Sequence, residues 1–70
     1  MTREQTIRLA KAVKAIGAAN QLALDLAMEV LLTEPKVSLA ISTQCFDIGE
    51  ANSKILDVVK EHSKKYLQNG

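Results

Sequence analysis

Gln21-Leu22-Ala23-Leu24-Asp25-Leu26-Ala27-Met28-Glu29-Val30-Leu31-Leu32-Thr33-Glu34-Pro35-Lys36 is the stretch that decides the fold. Its last four residues hold the sole proline of the chain, close to the midpoint. Inside a helix, proline loses a hydrogen bond and clashes with the preceding turn, but it is well suited to a first turn. The sequence therefore predicts one helix over about residues 3–32, a turn at about 33–35, and a second helix over about 35–67. Thr2 and Gln5 have the spacing of a capping box at the start of the first helix. Gln68-Asn69-Gly70 reads as a frayed end.

Outward from the break, each half carries an apolar stripe at spacings of three and four, strictly alternating in the first half and nearly so in the second. Leu9, Val13, Ile16, Asn20, Ala23, Ala27 and Val30 form the first. Val37, Ile41, Cys45, Ile48, Asn52, Ile55, Val59, His62 and Tyr66 form the second. Only a helix gathers residues at these spacings onto one face. Two glycines interrupt the pattern. Gly17 follows Lys11 and Lys14 as a helix-ending glycine would, and Asp47-Ile48-Gly49-Glu50 could open a new helix. Breaks there would give four short helices wrapped around one another in a monomer. Because both stripes keep their phase across the glycine, two long helices are expected, kinked at most near Gly17 and Gly49. Residues 37–45 also alternate at the strand period. A strand there would have to pair with another chain, since no second strand candidate exists.

On a helix, Gln21, Asp25, Glu29 and Thr33 make a narrow polar ridge, and everything around it is apolar. A simple two-helix hairpin covers one stripe only. Each fully buried leucine contributes about 1.5–3 kcal/mol relative to exposure, so a girdle left wet is a large loss. The expected fold class is all-α: an antiparallel helical hairpin that dimerises into a four-helix bundle. Leu22, Leu24, Leu26, Met28 and Leu31 are the expected self-association residues, with Leu24 read as the outward-facing one. The alanines of the first half would let helices approach closely.

Asn20 and Asn52 fall on the apolar stripes, where a buried amide fixes register or oligomeric state at a cost in stability. An antiparallel hairpin does not place them opposite each other. Each therefore needs its own partner, across a dimer or in backbone freed near Gly49 and Gly17, unless both point to solvent at a kink.

Composition narrows the function classes. Seventy residues form one small domain, and such chains usually need a disulfide, a metal or a partner. Cys45 is the single cysteine and His62 the single histidine, so neither an intrachain disulfide nor a metal site is expected. An unpaired thiol suits the cytoplasm, and the N-terminus lacks the apolar run of a signal peptide. No stretch approaches the roughly 20 apolar residues of a membrane span. Glu61 and His62 are neighbours that point in different directions, Cys45 lies on a stripe with no nearby base, and the three glycines form no phosphate loop. No catalytic residue and no cofactor are expected.

Charge is divided unevenly. Residues 1–17 and 52–70 hold eight basic against three acidic side chains, a net +5, while residues 18–51 hold one against five, a net −4. A hairpin gathers these at opposite ends. Arg3, Arg8, Lys11, Lys14, Lys60, Lys64 and Lys65 form a candidate basic patch for phosphates. A helix-turn-helix opening at Asn20 and Gln21 would carry acids and no base on its recognition helix. The functional expectation is a non-enzymatic cytoplasmic protein that self-associates and binds and modulates a larger protein. The alternatives are a nucleic-acid-binding regulator using the basic end, and a structural subunit of a larger assembly.

Overall fold

A computed structural model describes the backbone of residues 1–68 and the side chains of residues 1–65. The side chain of Tyr66 and the terminal Asn69-Gly70 lie outside the described residues. Two helices make up the fold: α1, Arg3–Glu29, and α2, Pro35–Gln68, packed along each other as a hairpin. Its dimensions are 54 × 15 × 14 Å. The radius of gyration, 16.0 Å, compares with about 11 Å for a compact domain of this length. The molecule is a rod two helices thick.

The start of α1 is capped as its sequence predicts. Thr2 Oγ1 accepts from the Gln5 N–H at 3.0 Å, and the Thr2 N–H donates to Gln5 Oε1 at 2.9 Å. Two first-turn donors are satisfied reciprocally. α1 ends at Glu29, and residues 30–34 form the connection, beginning earlier than the expected 33–35. The residue before a proline is pushed out of helical geometry, so the chain must already be reversing before Glu34. Val30 leaves the helix with φ −94° and ψ 5°, and its N–H still donates to the Leu26 carbonyl. The Glu34 N–H then donates to the Val30 carbonyl at 2.8 Å, and the Glu34 carbonyl accepts from Ser38 N–H, starting α2 with Pro35 in its first turn. Thr33 consequently leaves the polar ridge, and its hydroxyl bonds the Val30 carbonyl. Within the ridge, Gln21 Nε2 donates to Asp25 Oδ1 at 2.8 Å.

Both helices run unbroken through their glycines, and no described glycine has a positive φ. Four short helices are therefore not formed. Residues 37–45 are helical, so the strand alternative does not hold.

Candidate self-association surface

The seam between the helices is built from small side chains. The buried residues of α1 are Thr6, Val13 and Ala27, and those of α2 are Ser38, Cys45 and Val59. Asn20 and Asn52, more than half covered, complete two rows spaced by sevens: 6, 13, 20, 27 and 38, 45, 52, 59. No large side chain is fully buried among the described residues. A seam of threonine, serine, alanine, valine, cysteine and asparagine lets two backbones come close but removes little apolar area from water.

Close approach gives the asparagines their partners. Asn20 Nδ2 donates to the Cys45 carbonyl at 2.9 Å, and Asn52 Nδ2 donates to the Val13 carbonyl at 3.0 Å. Ser38 Oγ donates to the Ala27 carbonyl at 2.6 Å, and Cys45 Sγ lies 3.8 Å from the Asn20 carbonyl. The acceptors are regular helix carbonyls on the facing helix, one turn before each glycine, rather than backbone freed at a kink. A Cβ on Gly17 would sit 3.8 Å from Asn52 Nδ2, and one on Gly49 would sit 3.7 Å from Asn20 Nδ2. The amide oxygens of both asparagines are buried without a hydrogen-bond partner.

These pairings expose a symmetry that the stripe-by-stripe reading misses. Every buried residue of α1 has a buried counterpart 32 positions later: Thr6 and Ser38, Val13 and Cys45, Ala27 and Val59. The same offset maps Asn20 onto Asn52 and Gly17 onto Gly49, and it exchanges the two asparagine hydrogen bonds. The sequence carries the signal. Ile16-Gly17-x-Ala19-Asn20-x₃-Leu24-Asp25-x₃-Glu29 returns as Ile48-Gly49-x-Ala51-Asn52-x₃-Leu56-Asp57-x₃-Glu61. The hairpin is two related helices around a pseudo-two-fold axis. Thr6 departs from the symmetry, because its hydroxyl donates to the Thr2 carbonyl of its own helix rather than across the seam.

The expected self-association residues do not share one environment. Leu22 is 72% exposed, and Leu26, Met28 and Leu31 are also exposed. Leu24 is half-buried beside the seam, so Leu22 rather than Leu24 is the outward-facing leucine. Leu32, in the turn, is the most exposed of all at 95%. On α2, Leu39 and Phe46, seven residues apart, are both largely exposed.

Arg3, Arg8, Lys11, Lys14, Lys60, Lys64 and Lys65 are all exposed toward the open end of the hairpin. Lys54 pairs with Glu50 at 4.0 Å on the surface of α2. His62 is half-buried. Among the described residues, no group of three or more His, Cys, Asp or Glu could hold a metal ion, and no helix is long and apolar enough to cross a membrane. No protein-family model matches the chain, and no curated protein or solved structure is significantly similar to it.

Proposed function

We propose that this chain is a non-enzymatic, cytoplasmic helical protein whose hairpins pair into a four-helix bundle and whose remaining apolar surface binds and modulates a larger protein. One observation carries the reading: the isolated hairpin leaves too much surface wet. Its accessible area is 5568 Å², against about 4,300 Å² for a compact monomer of this mass. The surplus of roughly 1,300 Å² exceeds the ~800 Å² that each partner buries in a standard interface. Large apolar side chains supply much of it. A dimer does not need all of this surface, and Leu39 with Phe46 makes a second apolar ledge for another protein.

Light scattering at micromolar concentration tests the pairing, with an expected mass of two chains or a multiple of two. A well-folded monomer at high concentration would remove the reading. The exposed basic end favours nucleic-acid binding as a second reading. In that case Lys60, Lys64 and Lys65 replaced together by glutamine should weaken binding and flatten its salt dependence. A protein that retains no duplex or RNA at low salt would exclude it. The third reading, a structural subunit of a larger assembly, covers the same apolar surface with a different chain. It predicts that the protein is insoluble or molten alone.

A further inference from the structure

We infer that the partner surface is one stripe of α1, packed antiparallel on the same stripe of a second copy. The inference rests on the pairing proposed above and specifies its face and direction. Ala12, Ala15, Ala19, Leu22 and Leu26 follow one another at spacings of three, four, three and four, and all are exposed. They form a second heptad row on α1, turned away from the seam with α2.

The internal symmetry supplies a control within the molecule. The stripe maps onto Gln44, Asp47, Ala51, Lys54 and Val58 of α2, which are exposed too. Two helices that match position for position at the seam therefore differ on this outer face. One has kept the polar side chains of a wet surface and the other has none. Packing within the hairpin does not require that difference.

The stripe is complementary to itself when reversed. With Ala19 on the two-fold axis, Leu22 of each copy faces Ala15 of the other, and Leu26 faces Ala12. Large meets small on both sides of the axis, where Ala19 meets its own copy. The register is common to all these pairs within one residue, about 1.5 Å along a helix. A shallow, open depression lined by Met1, Gln5, Arg8, Leu9 and Ala12 begins at Ala12, where the second copy's Leu26 arrives. Charge closes the ends. The row is bounded by Arg8 at one end and Glu29 at the other, neither ion-paired among the described residues. Reversal sets Arg8 beside the partner copy's Glu29 twice, and Lys11 beside Asp25. A parallel pairing would put like charges together at both ends.

Cysteine cross-linking reads out the face directly. Cys45→Val, chosen to match its internal counterpart Val13, removes the native thiol. In that background Ala19→Cys should form an interchain disulfide in most of the protein under mild oxidation, because a residue on the axis meets itself. Ala51→Cys, the equivalent position on α2, should remain largely reduced. Arg8→Glu and Glu29→Arg should each weaken self-association about tenfold, and the two together should restore it. Dimers that cross-link through Ala51→Cys rather than Ala19→Cys, or a double reversal that fails to recover affinity, would overturn the face while leaving the pairing intact. A wild-type chain that never associates would overturn both.

Discussion

Asn20 and Asn52 show how a polar residue can sit in a seam at a net cost. Each amide donates to a carbonyl that already accepts from its own helix, so little is lost if the donor is removed. Each also buries an oxygen with no partner, which costs about 1–3 kcal/mol. Replacing both with valine, the residue at two other seam positions, should raise thermal stability by about 1 kcal/mol per site. The same variant should lose uniqueness, showing more than one species in sedimentation, because the amides no longer fix the register. A less stable double variant would mean that the hydrogen bonds outweigh the orphaned oxygens. The glycines lead to a second expectation. A Cβ at either position would make ordinary van der Waals contact, and neither backbone is left-handed. Gly17→Ala and Gly49→Ala should each stabilise the helix by about 0.5–1 kcal/mol, read as an upward shift of the denaturant midpoint.

At the scale of the helices, much of the fold is legible in the sequence. Pro35 places the reversal, Thr2 and Gln5 place the first cap, and Val13, Ala27, Cys45 and Val59 lie on the predicted stripes and are buried. The seam's ends are not legible from hydropathy. Thr6 and Ser38 are buried although polar, because each hydroxyl finds a carbonyl, while the more apolar Val37 next to Ser38 is exposed. The end of α1 is hidden too. Leu31 and Leu32 continue the apolar run, and the need to reverse before Pro35 outweighs it. The stripe proposed to meet a second copy is hidden from a hydropathy pattern because three of its five residues are alanines, read as neutral. Thr2→Ala should cost α1 about 1 kcal/mol by freeing first-turn donors, seen as a lower melting temperature. Ser38→Ala should cost about 0.5–1.5 kcal/mol for the hydrogen bond that ties the two helices nearest the turn.

For the whole molecule, the balance between a thin seam and a broad wet surface governs behaviour. A chain that depends on its partner for apolar burial should have a stability that rises with concentration. Thermal midpoints measured over a hundredfold dilution should fall as the protein is diluted, and an invariant midpoint would count against dimerisation. Leu22→Glu should split the assembly by placing an unpaired charge in the interface. The resulting monomer should be less stable and should bind hydrophobic dyes, yet remain helical by circular dichroism. The +5 and −4 ends also make association sensitive to ionic strength. Salt should weaken an antiparallel pairing of opposite charges, since the Debye length is about 8 Å at physiological strength.

The ladder of cross-seam hydrogen bonds also implies an order of events in time. Ser38 and Ala27 are separated by 11 residues along the chain, Asn20 and Cys45 by 25, and Asn52 and Val13 by 39. Closing each successive rung from the unfolded chain means ordering a longer loop, whereas closing it after the previous rung adds only two turns of helix to each arm. Folding should therefore zip from the turn toward the open end. Ser38→Ala should slow folding, while Val59→Ala, buried beyond the last rung at the open end, should mainly speed unfolding, a contrast that stopped-flow rates resolve.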